Sequence, residues 1–233
     1  MDLNSLKSFA RNVRKELIKT VSFKMQNVLS EDSLARRENL YAVNELEKKI
    51  NISKKDNVIE EVAYTWFNRF TALQYMDLNG FNDVKVIMPI EDENRPEILS
   101  NAFIGVFDNK LISEKTKNIV SDLLNGKSSS NNPEKEAYKF LLISVCNKLH
   151  FKMPFLFEKI EDYTELLIPD DLLSKTSIIE KIRNVITNEN CHDVEIIGWL
   201  YQFYISEKKD LVSDYINKKK KVTSENIPAA TQL

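Results

Sequence analysis

Glycine occurs at only four positions in this chain, Gly80, Gly105, Gly126 and Gly198, and no other feature limits its folding so strongly. Glycine supplies the positive φ angles of tight turns and the close backbone approaches of phosphate-binding loops. With its glycines this far apart, the chain has no GxGxxG turn and no P-loop. Between the glycines run long stretches rich in Lys, Glu, Leu and Asn, residues that favour helix over strand. The expected fold class is all-α, a multi-helix bundle-like domain with at most one short strand or hairpin around 83–108. At 233 residues and 42% hydrophobic, such a chain can bury a core without disulfides or metal.

Apolar periodicity places the helices. Leu6, Phe9, Val13, Leu17, Val21 and Val28 share one face of a helix over about 3–29. A cap at Asp32 or Ser33 opens a second, to about Ile50, with Leu40, Val43, Leu46 and Ile50 as its buried stripe; the two read as a hairpin. A third, about 56–79, carries Val58, Val62, Trp66, Phe70 and Leu73 and stops at Asn79-Gly80. Its pattern suits a central core helix. From 81 to 108 the periodicity weakens around Pro89 and Pro96, and VKVIM at 84–88 has the β-branched content of one short strand. Helical patterns return over 113–124, 134–150, 176–188 and 193–216, with the polar stretch 126–133 as a flexible loop. Residues 1–216 read as one helical domain and 217–226 as a linker. The opening residues form a charged periodic helix without a signal-like apolar region, and no apolar run reaches the length of a bilayer span, so a cytoplasmic chain without membrane contact is expected.

Few constellations suggest chemistry. Cys146 and His150 stand four apart, as a metal pair would, but the remaining soft ligands, Cys191 and His192, are neighbours that diverge on a helix, so buried packing roles are expected instead. Cys191-His192-Asp193 holds a nucleophile, a base and an acid, yet triads converge from separate segments. Glu60-Glu61 and Asp170-Asp171 read as solvated helix starts. Charge distribution says more. Lys7, Arg11, Arg14, Lys15, Lys19 and Lys24 face Glu16 alone, and Lys7, Arg11, Lys15 and Lys19 recur every four residues along one stripe. Such a stripe could track the phosphates of double-stranded DNA, or be an ordinary solvated face in a chain that is slightly acidic as a whole. Residues 207–221, which include Lys208 and Lys209, form a second basic region. In 193–216 apolar side chains surround most of the helix, so one face suits this domain's core. Another, around Trp199, Phe203 or Tyr204, suits contact with a further domain.

Three stretches carry a resemblance: VAYTWFNRFTALQYMDLNGF at 62–81, DVEIIGWLYQFYISEKKD at 193–210 and VTSENIPAATQL at 222–233, with LLIPDDLL at 166–173 in support. Together they resemble the N-terminal region of PglX-type adenine-specific DNA methyltransferases of the BREX phage-defence system. In that family Pro-Ala-Ala-Thr-Gln-Leu, found here at 228–233, leads into the methyltransferase domain. The resemblance implies S-adenosylmethionine as cofactor of the whole enzyme, bound at a Gly-rich turn, and Asn-Pro-Pro-Tyr as the catalytic motif that holds a flipped adenine. This chain has neither; its sole Asn-Pro, Asn132-Pro133, continues into Glu134. No catalytic, cofactor or metal residue is therefore expected here. Two roles follow: an accessory region that clamps DNA or supports the catalytic domain, or a module that docks the enzyme to other phage-defence proteins. Acids facing the basic stripe, such as Glu16, Glu38, Glu45 and Glu47, would favour the second.

Overall fold

The computed structural model describes residues 3–90, 93–157, 160, 163–189, 191 and 194–206. Among these residues there are ten helices and no strand: α1 (Leu3–Leu29), α2 (Leu34–Glu38), α3 (Leu40–Ser53), α4 (Lys55–Leu78), α5 (Glu97–Phe103), α6 (Glu114–Leu124), α7 (Pro133–His150), α8 (Tyr163–Leu166), α9 (Ile178–Val185) and α10 (Glu195–Tyr204). The all-α expectation holds. α1 forms as its stripe requires and buries Leu6, Ala10, Val13, Leu17, Val21, Met25 and Val28 against α4 and α10.

α4 is the central element, packed by α1, α3, α9 and α10. Trp66, Phe67, Phe70 and Leu73 on it are fully buried, and Trp66 stacks on Phe70 with centroids 5.4 Å apart. It ends as expected at Asn79-Gly80. Gly80 takes φ 66°, and the N–H groups of Gly80 and Phe81 turn back to the carbonyls of Asp77 and Met76 at 3.4 and 2.9 Å, a Schellman closure.

Three expectations are corrected. The helix expected from 32 or 33 to 50 is two helices. Ser33 does cap the first, but Asn39 leaves helical geometry and its side chain accepts from the Ala42 N–H at 3.1 Å, so a local Asx bond replaces the continuing helix and starts α3. VKVIM makes no strand. The N–H groups of Val86, Ile87 and Met88 all donate to the buried carboxylate of Asp77, at 3.0, 2.6 and 3.0 Å, which leaves no ladder to build; an isolated bridge between Pro89 and Pro96 is the nearest approach to sheet. Within 81–108, where no helix was expected, α5 starts behind Pro96, too short at seven residues for a periodic stripe. α10 ends at Tyr204 with Ile205 as its C-cap, and the expected helix over 207–216 and the linker lie outside the described residues.

The polar residues of the second half of α4 organise the connecting segments. Gln74, fully buried, donates to the Ile186 carbonyl at 2.9 Å, and Asn79 donates to the Cys191 carbonyl at 3.3 Å. Tyr138 of α7 reaches the Val86 carbonyl at 3.0 Å. Irregular chain is thereby fixed to two long helices by side chains instead of by a sheet.

Candidate functional site

The basic stripe and the aromatic end of the chain, separate expectations in the sequence, meet on one side of the molecule. α10 lies along α1. Arg11 donates from Nε to the Ser206 hydroxyl at 2.9 Å. Arg14 donates to Glu60 of α4 at 2.8 Å, and its guanidinium lies 5.9 Å from the Tyr204 ring centre. Tyr204 also stacks on Phe67 at 4.5 Å and meets Tyr64 at 5.5 Å. Burial pushes the Tyr204 hydroxyl well above its ordinary range, with Arg14 opposing and Glu60 adding to the shift.

Two of the stripe's basic residues are thus turned into the domain's own packing. Lys7 is half-buried, and Lys15 and Lys19 are exposed. Lys24, at the far end, pairs with Asp170 at 2.5 Å. Of the acids expected to face the stripe, Glu16 pairs with Lys181 of α9, Glu47 with Arg36 and Glu45 with Lys48. Glu60 and Asp170 pair instead with the neighbouring Arg14 and Lys24 of α1, and neither acidic pair is a helix start. Glu60 and Glu61 lie inside α4, bonded to Arg14 and Lys49, and Asp170 and Asp171 lie between α8 and α9, bonded to lysines and to Ser174. Burial pushes the carboxyls of both Asp170 and Asp171 up. At Asp171 the hydrogen bonds from Ser174 and Lys135 outweigh it and hold the group below its ordinary value. For Asp170 the hydrogen bonds from Lys139 and Lys24 outweigh it and hold the group below its ordinary value.

α10 presents two different sides. Ile196, Leu200 and Tyr204 are buried. Trp199 remains 36% exposed and Val194 64%, while Phe203 is half-buried against the core. Gly198, beside Trp199, has no atom within 4 Å of the place a Cβ would take, so the backbone there is open to an approaching side chain. Of the three aromatics expected to face another domain, Tyr204 is instead claimed by this domain, at 3% exposure. Its position follows from helical spacing with Leu200 and Ile196, a signal already present in the sequence. Lys208 and Lys209 lie outside the described residues.

The remaining constellations have structural roles. Cys146 is fully buried, and burial pushes its thiol up to about 12, far from the thiolate a nucleophile or metal ligand requires. The His150 Nδ1 lies 2.8 Å from the Phe157 carbonyl. Cys191 is buried, while His192 and Asp193 lie outside the described residues. Among the described residues no three His, Cys, Asp or Glu side chains converge as metal ligands would, and no helix is long and apolar enough to cross a membrane. Asn132 accepts from the Lys135 N–H at 3.1 Å and Pro133 occupies the first turn of α7, so Asn-Pro here is a helix start.

Fold and site together define an all-helical unit whose last described helix keeps one apolar edge open. No family model matches the chain. It is similar to the adenine-specific methyltransferase BrxX of Escherichia coli O9:H4 (strain HS), 41% identical over 178 residues, which cover 76% of this chain and 14% of that protein. It is also similar to the adenine-specific methyltransferase PglX of Lacticaseibacillus casei (strain Zhang), 31% identical over an alignment of 270 residues that covers 100% of this chain and 22% of that protein. The chain is therefore related by sequence to PglX-type adenine-specific methyltransferases, as its motifs implied, and spans well under a third of the length of these relatives.

Proposed function

We propose that this chain is the accessory, domain-supporting region of a cytoplasmic S-adenosylmethionine-dependent DNA adenine N6-methyltransferase used in phage defence, with cofactor and target adenine held by the rest of that enzyme. The observation that carries this reading is the open edge of α10, where Trp199 and Val194 stay exposed beside the bare backbone of Gly198. A tryptophan bordered by unfilled space is the kind of anchor around which interdomain contacts form. The relatives' names supply the activity of the whole protein.

The test is association between this chain and the remainder of a full-length PglX-type enzyme, produced separately. Binding is expected, and Trp199→Glu is expected to weaken it at least about tenfold, the scale of an interface hot spot. The same substitution in the full-length enzyme should lower adenine methylation. Full binding and methylation by the variant would refute the reading.

A second reading, direct contact with double-stranded DNA, is favoured by the exposure of Lys15 and Lys19, four residues apart on α1. Contact by Lys7, Lys15 and Lys19 would be with phosphates, hence weak, indifferent to sequence and steeply salt-dependent. A salt titration of DNA binding separates the two, because Lys15→Glu with Lys19→Glu abolishes this binding and leaves the association through Trp199 intact. The docking of other phage-defence proteins would use the same open edge, and such a partner would compete with the remainder of the enzyme for Trp199.

A further inference from the structure

A groove of about 440 Å³ opens at the C-terminal end of α1, between the α1–α2 turn and α7–α8. It is a different surface from the open edge of α10, which is held at Arg11, about 20 Å back along α1 from Lys24. Phe140, Ile143 and Ile168 give the groove an apolar lining, and Leu34 stands 63% exposed at its rim. An apolar side chain left in water beside an apolar recess marks a contact surface.

The charges around the groove are unbalanced. Its two lysines, Lys24 and Lys139, both donate to Asp170, at 2.5 and 2.6 Å, so they are already engaged. Glu38, Glu136 and Glu165 also line it, and among the described residues no hydrogen bond or ion pair reaches their side chains. Glu165 is half-buried on α8, and burial pushes its carboxyl up with Lys115 opposing. A cation seated beside that group would lower the cost of keeping it ionised. Three unengaged carboxylates repel a polyanion and attract a basic partner, while the apolar lining calls for side chains that need no hydrogen bonds. A small amine would leave both the lining and the exposed Leu34 uncovered. A basic segment with apolar residues at helical spacing satisfies the charge and the lining together, as amphipathic helices do when they enter grooves.

We propose that the groove between the α1–α2 turn and α7–α8 docks a basic amphipathic segment of a second protein, its apolar side chains on Phe140 and Ile143 and its cations beside Glu38, Glu136 and Glu165. The proposal does not rest on the methyltransferase reading, which concerns the other surface. The probe is a synthetic leucine-lysine peptide of about 14 residues, apolar along one helical face, titrated into the full chain and followed by the chain's amide signals. Saturable shifts around Leu34 and Phe140 are expected, with affinity falling about fivefold or more near 0.5 M salt. Glu38→Lys with Glu136→Lys should weaken binding at least about tenfold, and Leu34→Glu, a change at an exposed position, should do the same. Trp199→Glu should leave it unchanged, so that failure here and failure of the α10 contact are told apart. Circular dichroism checks that each variant is folded. Full affinity in the charge-reversed variant, or shifts confined to the surroundings of Trp199, would overturn the proposal. Equal binding of a leucine-glutamate peptide would overturn it as apolar adsorption. Saturation of the same signals by spermine at the same concentration would overturn it in favour of a small amine. A dimer of the chain that Glu38→Lys with Glu136→Lys dissolves in sedimentation would overturn it in favour of a second copy.

Discussion

α1 and α4 are the two longest helices, 27 and 24 residues, and they pack against each other, yet they use polarity in opposite ways. α1 buries one stripe and keeps its charges at the surface or in pairs at its margin. α4 is covered on most sides, and its buried residues include Arg69, Thr71, Gln74 and Asp77. A surface charge can be exchanged for another with little loss, because water solvates either. A buried polar group with fixed partners cannot, because removing it leaves those partners desolvated. α1 is therefore the helix whose sequence is open to functional change, and α4 the one whose polar residues hold the fold.

Asp77→Ala sharpens this contrast most. It strands the N–H groups of Val86, Ile87 and Met88 and is expected to cost about 4 kcal/mol in urea unfolding. Asp77→Asn, which retains an accepting oxygen, should cost about half as much. Leu17→Ala, in the fully buried stripe of α1, should cost about 3 kcal/mol, so that the two helices differ in the polarity of their essential residues and not in whether they have any. The Arg14–Glu60 pair that joins them, with side chains 13% and 35% exposed, should show a coupling of about 1 kcal/mol in a double-mutant cycle. Lys15→Gln and Lys19→Gln should change stability by less than about 0.5 kcal/mol. A large loss from either lysine would break the comparison.

Acid titration separates the regions by sign. Burial raises the Asp77 carboxyl above its ordinary 3.8, with the N–H groups of Val86, Met88 and Ile87 and the Asn82 side chain opposing. As pH falls through that raised value the native state takes up the proton first, so this group favours folding as 3.8 is approached. Asp170 behaves oppositely, because its folded value lies below 3.8. Its contribution is present above 3.8 and is lost as pH falls through the folded value. Stability profiles of Asp77→Asn and Asp170→Asn should therefore depart from the parent in opposite directions, the first above pH 3.8 and the second below it.

The positions of α1, α4, α6, α7 and α9 were legible because apolar spacing and the Asn79-Gly80 stop are local signals. The break at Asn39 was less so, since an Asx bond to the Ala42 N–H competes with the helix at a single residue. VKVIM failed as a strand for a non-local reason: the acceptor that claimed its N–H groups is a side chain on α4, nine residues back. On the site, residue types were legible and partners were not. Arg11 read as a member of the basic stripe and Arg14 as its neighbour until α10 came to lie beside them, and Tyr204 read as a candidate contact to a further domain until Phe67 and Arg14 closed on it.

The sequence by itself determined the all-α class, the long helices with their buried stripes, the lack of a Gly-rich cofactor turn and the kinship with adenine-specific methyltransferases, because each of these depends on residue types at short, fixed spacing. Only the tertiary structure decided which charges are paired, which face of α10 stays open, and that an aspartate on α4 would displace a strand. Those outcomes depend on which segments meet across the fold, and a buried donor or acceptor takes whichever partner packing brings within about 3 Å of it.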